Sequence, residues 1–180
     1  MGKGIHIFSA EFTQPLVNWV HALRGFAGLA PFSPDGFPNR SAKTRLATKS
    51  FRAPKDLNVW FIDDDPINNI LNCSLMEDHF PEVQLAIFQD ARQALNELEK
   101  VKMPVPDLIF LDLNMPGFNG WDFMEVFIQR AYSAKVFILT SSIDPEDRNE
   151  ASFSKNIAGF YSKPLLPEML KDAFEKTARQ

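Results

Sequence analysis

Acidic, hydroxyl and amine side chains recur in this sequence at the ends of short apolar runs. Asp63, Asp64 and Asp65 follow NVWFI, Asp112 and Asn114 follow DLIFL, Thr140 ends KVFILT with Ser141 next, and Lys163 comes shortly after IAGFY. Carboxylates clustered beside a hydroxyl and an amine describe a site for a hard cation and a phosphoryl group. Magnesium takes oxygen ligands in an octahedron and keeps several waters, which a few carboxylates and a backbone carbonyl can supply. Without a cation, such acids repel one another and raise their own pKa values. A lysine ammonium offers a point charge to phosphate oxygens, and a threonine hydroxyl offers a donor. Phosphoryl transfer asks for little beyond positioning, charge neutralisation and a nucleophile. Asp112 is the expected nucleophile, because it ends the apolar run that lies in chain order between the acids of the first run and Thr140.

Those residues can meet only if the runs are neighbouring strands. From Leu57 onward, NVWFI, VQLAIF, DLIFL, KVFILT and IAGFY alternate with amphipathic stretches at Pro66 to Phe80, Ala91 to Lys100, Trp121 to Arg130, Pro145 to Phe153 and Pro167 to Lys176. Five strands and five helices joined by short connections make successive βαβ units. The class is α/β, an open, doubly wound parallel sheet. Runs apolar throughout, rather than alternating, fit strands covered by helices on both faces. Asp65-Pro66, Asp144-Pro145 and Leu166-Pro167 each put proline at a first helical position, which fixes where the preceding strands end. Ligands of such sheets sit beyond the carboxyl ends of the strands, where the residues above fall.

The chain of 180 residues carries a net charge of −4, and that sum hides a division. Residues 1–55 hold eight Lys/Arg against Glu11 and Asp35 alone, with ten Gly and Pro and no sustained periodicity. The expected organisation is therefore a basic, irregular or disordered extension over 1–55 and a folded domain over 56–180. Within the extension, Pro15 to Leu29 has apolar residues at the spacing of one short amphipathic helix. No apolar run approaches the roughly 18 to 20 residues that span a bilayer, and no signal-peptide core is evident. Cys73 alone cannot form an internal disulfide or a cysteine-based metal site, so the reducing cytoplasm is the expected compartment.

The segments VWFIDDDP, PDLIFLDLNMPGFNG, VFILTSS and GFYSKP resemble, in order and spacing, the four signature blocks of the response-regulator receiver domain of two-component signalling. The resemblance spans roughly Leu57 to Lys176 and is nearest to stand-alone, chemotaxis-regulator-like receivers. It implies a flavodoxin-like sheet of order 2-1-3-4-5. It also implies Asp63 and Asp64 as the acidic pair at a magnesium site, Asp112 as phosphoacceptor and metal ligand, and Asn114 as donor of a backbone carbonyl to the metal. Thr140 and Lys163 would contact the phosphoryl group. The switch aromatic falls on Phe160, where many receivers have tyrosine, so a packing switch without a hydroxyl contact is expected. Tyr161 is no substitute, since adjacent strand residues face opposite sides. Asn114 and Ser142 occupy positions that in this family modulate acyl-phosphate hydrolysis.

The implied function is that of a phosphoacceptor assisting its own phosphotransfer and dephosphorylation, not a conventional enzyme. Its donor would be a histidine kinase or histidine phosphotransfer protein, and its readout a downstream protein partner. Only Thr177 to Gln180 follow the last expected helix, so no fused DNA-binding domain is expected. Two rival readings belong to other classes. A haloacid-dehalogenase-like phosphatase needs a second acid and then Thr or Val where this sequence has Asn114 and Pro116. A pseudo-receiver that binds partners without phosphate would have no need of Asp63, Asp64, Asp112, Thr140 and Lys163, all of which are present. Plainer roles go to Asp65 as a helix cap, Cys73 as a small buried hydrophobe, Phe123 and Phe127 as core, and His6, His21 and His79, which lack ligand spacing.

Overall fold

The computed structural model describes residues 7–8, 57–100, 105–141 and 155–178. Its strands are β1 (Ile7–Phe8), β2 (Asn58–Ile62), β3 (Gln84–Phe88), β4 (Leu108–Asp112), β5 (Lys135–Thr140) and β6 (Ile157–Ser162). Its helices are α1 (Pro66–His79), α2 (Ala91–Lys100), α3 (Gly120–Gln129) and α4 (Pro167–Ala178). All strand pairs are parallel, in the order β1-β3-β2-β4-β5-β6. Counted without β1, the strands follow the expected order 2-1-3-4-5. The helix expected at Pro145 to Phe153, the one expected at Pro15 to Leu29, and Ser142 lie outside the described residues.

The sheet is wider than expected by one strand. Ile7 and Phe8, inside the stretch expected to be irregular, pair with Leu85 and Ala86 at the edge of β3. An open β3 edge presents backbone donors and acceptors that any extended segment can meet, so no side-chain pattern was needed to bring one there.

Alternation along the strands divides the core in two. Val59, Phe61, Phe110, Phe137, Leu139 and Tyr161 face one layer with Cys73, Met76, Leu170 and Phe174 of α1 and α4. Trp60, Ile62, Ile109, Leu111, Val136 and Ile138 face the other with Leu95, Leu98, Phe123 and Phe127 of α2 and α3. Full burial of such side chains contributes about 1.5–3 kcal/mol each, so the sheet is gripped from both sides. Both layers end at the strand carboxyl termini, where the burial of Asp63, Asp112 and Thr140 breaks the apolar pattern.

Helix starts set the turns that face this end. Asp65 caps α1, its Oδ1 accepting from the Ile67 N–H at 2.8 Å with Pro66 next in line, as expected of it. Asp90 caps α2 through Oδ1, which accepts from Arg92 and Gln93. Asn119 and Asp122 exchange side chain to backbone bonds in a capping box at the head of α3.

Candidate functional site

The β4 end presents the central carboxylate. Asp112 is the last residue of β4, paired in register with Leu139, and is 4% exposed. Its Oδ1 accepts from the Asn114 N–H at 3.1 Å, a turn that holds the carboxylate at the strand tip. Its Oδ2 accepts from Lys163 Nζ at 2.7 Å.

Asp63 stands one strand away and is equally buried. Its backbone N–H donates to Phe88 O at 3.0 Å and its Oδ1 accepts from the Asp65 N–H at 3.0 Å. Its Oδ2 lies 2.8 Å from Lys163 Nζ as an ion pair. That oxygen takes no well-directed hydrogen bond among the described residues. Burial pushes the Asp63 carboxyl above its ordinary range, and Lys163 and the Asp65 amide offset only part of the rise. For Lys163, burial alone would lower the pKa. Its bonds to Asp112 and Asp63, with their charges, outweigh burial and hold it above the usual lysine value. Asp64 completes the group: carboxylate oxygens of Asp63, Asp64 and Asp112 lie within 4.8 Å of one another.

Thr140 ends β5 fully buried, and its carbonyl accepts the Lys163 N–H at 2.9 Å, tying the two tips together. Phe160 pairs with Ile138, two residues before Thr140, so Thr140 and Phe160 share a sheet face. Phe160 is only partly buried there, against the α2 and α3 layer. Tyr161 faces the opposite layer, stacks on Phe137 and donates from its hydroxyl to Asp172 at 2.6 Å. Asn114 is exposed on the loop after β4. Asp63, Asp64, Asp112, Asn114, Thr140 and Lys163 thus gather at the carboxyl end of the sheet, with Phe160 below Thr140. Cys73 lies in the α1 core layer, where burial and then Glu77 push its thiol up to about 12. His79 is exposed at the end of α1, and the other two histidines lie outside the described residues.

A family model described as the response regulator receiver domain matches residues 59–175. The chain belongs to the response-regulator receiver family. The chemotaxis protein CheY of Listeria monocytogenes is 25% identical over 123 residues, 68% of this chain and 99% of that protein. The nitrate/nitrite response regulator protein NarL of Escherichia coli is 27% identical over 120 residues. That alignment takes in 67% of this chain but only 54% of NarL. Among solved structures, a two-component response regulator from Cytophaga hutchinsonii matches with a TM-score of 0.64 and 31% identity, over 71% of this chain and all of that one. The Vibrio cholerae chemotaxis protein CheY4 matches with a TM-score of 0.55 and 26% identity, over 68% and 98% of the respective chains. The receiver domain is a phosphoacceptor module of two-component signalling, not an enzyme of the ordinary kind, and it binds magnesium at an acidic pocket. The phosphatase rival is thereby set aside. No helix among the described residues is long and apolar enough to cross a membrane.

The donor set fits a hard divalent cation. Three carboxylates from two adjacent strand ends bring only oxygen ligands, and one of those oxygens is buried with an ion-pair partner alone. Two further residues shape this site without having been singled out from their type. Asn69 of α1 is buried, and its Nδ2 donates to the backbone carbonyl of Asp63 at 2.7 Å. Gly120 opens α3 against the β4 tip: its N–H donates to Leu113 O at 3.1 Å, and a Cβ there would fall 2.4 Å from the Asp112 carbonyl oxygen. Asn69 reaches back six residues and Gly120 is needed for a close approach of backbone, and neither relation leaves a mark in spacing or hydropathy. The Asn-x-x-Asp pattern of the capping box was the one legible hint of where α3 begins.

Proposed function

We propose that this chain receives a phosphoryl group on Asp112 from a phosphohistidine of a sensor kinase or histidine phosphotransfer protein, and that the modified form engages a downstream protein. The observation that carries this reading is the Lys163 ammonium held between Asp63 and Asp112, with Asp64 closing a three-carboxylate cluster at the strand ends. Asp63, Asp64 and Asp112, with the Asn114 backbone carbonyl, are the residues to hold magnesium, which when bound supplies charge neutralisation for acids and phosphoryl oxygens alike. A carboxylate oxygen of Asp112 attacks phosphorus in line, the oxygen–phosphorus bond forms, and the phosphorus–nitrogen bond to the donor imidazole breaks. The imidazole nitrogen leaves with that bond's electron pair.

Lys163 then shifts its hydrogen bond from the Asp112 carboxylate to a phosphoryl oxygen while keeping Asp63 as counterion. The Thr140 hydroxyl is drawn to another phosphoryl oxygen. Phe160, on the same face, then packs into the space that Thr140 vacates. A local change of charge thereby becomes a change in the shape of the β5–β6 surface. A chain with one buried, unreactive cysteine suits the reducing cytoplasm, where the donor's kinase domain would also lie.

Intact mass after incubation with a small-molecule phosphoramidate, with and without magnesium, tests the assignment. Wild type is expected to gain one phosphoryl group only with magnesium, and Asp112→Asn none. Labelling of Asp112→Asn overturns the choice of acceptor. A wild type that binds magnesium and stays unlabelled by a phosphorylated histidine donor points instead to a phosphate-independent binding module.

A further inference from the structure

The turn that carries the acid pair is held from inside α1 by one side chain. Asn69 is 2% exposed, and its Nδ2 donates to the carbonyl oxygen of Asp63 at 2.7 Å. Its own backbone N–H donates to the Asp65 carbonyl at 3.2 Å. One residue therefore binds both ends of the Asp63-Asp64-Asp65 turn. The Asp63 carbonyl belongs to the peptide joining Asp63 to Asp64, so the amide fixes the plane that sets one acid relative to the other. The Asn69 Oδ1 takes no partner among the described residues, so the bond to Asp63 is the one polar contact that explains a buried amide here. Buried polar side chains without good reason are costly, and this one is spent on the acid turn.

We infer that Asn69 is a positioning residue for the magnesium acids, setting the spacing of Asp63 and Asp64 through the peptide between them. The inference rests on the metal reading of Asp63, Asp64 and Asp112 given above. Groups that orient metal ligands without touching the ion typically change affinity by about 10- to 100-fold when removed. Asn72, a buried amide one turn along the same helix, gives a matched control, since its burial resembles that of Asn69 and no bond among the described residues ties it to the turn.

The test is calorimetric magnesium titration of wild type, Asn69→Ala, Asn69→Gln and Asn72→Ala, with amide hydrogen exchange of each protein in metal-free buffer. Asn69→Ala is expected to need at least about tenfold more magnesium for half-saturation. It is also expected to exchange the Asp65 amide faster than wild type before any metal is added, because that amide bonds Asp63 Oδ1 across the same turn. Asn69→Gln, which keeps the donor, is expected to recover part of the affinity, and Asn72→Ala to bind as wild type. If Asn69→Ala is too unstable to titrate, Asn69→Gln carries the comparison. Its magnesium affinity must then fall between wild type and loss, with faster exchange at Asp65. Wild-type affinity in Asn69→Ala, or an equal loss in Asn72→Ala, overturns the positioning role. Absence of magnesium binding in wild type overturns the metal reading itself, and the two failures are told apart by the protein in which they occur.

Discussion

Lys163 and Lys176 each approach an aspartate oxygen to 2.7 Å, yet the first side chain is 14% exposed and the second 43%. Lys176 pairs with Asp172 one turn away on α4, and its ammonium lies 5.8 Å from the ring centres of Phe137 and Tyr161. It acts as a surface lysine with its stem laid on apolar rings. Lys163 instead joins two acids from different strands, both almost fully buried, and carries their charge where water cannot. Contact distance therefore says little about what a lysine does here. What separates them is the number of strands that depend on each cation and whether solvent can replace it.

Lys163→Met breaks that contrast most severely. It leaves Asp63 and Asp112 facing each other without their cation, and the labelling rate is expected to drop by about 10²-fold or more, read by intact mass over time. Magnesium is expected to raise the melting temperature of this variant more than that of wild type, because it replaces the missing charge. The pH dependence sharpens the point. The Lys163 pKa is raised by folding, so its stabilisation is complete below the ordinary value of 10.5 and lost as pH climbs through the higher folded value. Wild type should lose stability above pH 10.5 that Lys163→Met does not lose, as followed by urea titration across that range.

Gly120→Ala attacks the same strand tip through the backbone. With a Cβ 2.4 Å from the Asp112 carbonyl oxygen, the head of α3 must move away from β4. A loss of about 1–3 kcal/mol in urea unfolding is expected, with slower labelling of Asp112. At the Lys176 cluster the expected effects shrink. Tyr161→Phe removes the hydroxyl bonded to Asp172 at 2.6 Å and should cost about 1 kcal/mol with labelling unchanged. Lys176→Ala removes an exposed pair spaced i,i+4 and should cost at most about 0.5 kcal/mol. A large labelling defect in either variant would mean that the two clusters are coupled.

The residues that touch the candidate phosphoryl site were legible because each interrupts an apolar strand at its end. Asp63, Asp112, Thr140 and Lys163 are conspicuous in type, and a parallel sheet has one end at which such residues collect. Alternation also placed Phe160 and Tyr161 on opposite faces, as the strand register bears out. What stayed hidden depends on backbone rather than side-chain pattern. Asn69 reads as one polar residue among several in DDDPINN, and only the folded turn puts it beneath the Asp63 carbonyl. Gly120 reads as one more loop glycine until α3 is seen to start against the β4 tip. The pairing of Ile7–Phe8 with β3 is main-chain bonding, which apolar periodicity does not report.

The chain order of the charged strands has a kinetic consequence. β2 and β4, which carry the acids, lie next to each other in the sheet, while Lys163 follows β6, two strands farther from β2 and last in the sequence. Any folding route that joins β2 to β4 before β6 docks must first crowd like charges together, with no cation from the chain to separate them. The rate-limiting ensemble on that route bears a repulsion that the native state does not. Dissolved ions that screen it would hasten refolding and unfolding alike, because they lower the barrier ensemble and leave the native state as it was. The site's electrostatics would then be written into the speed at which the domain forms as well as into its chemistry.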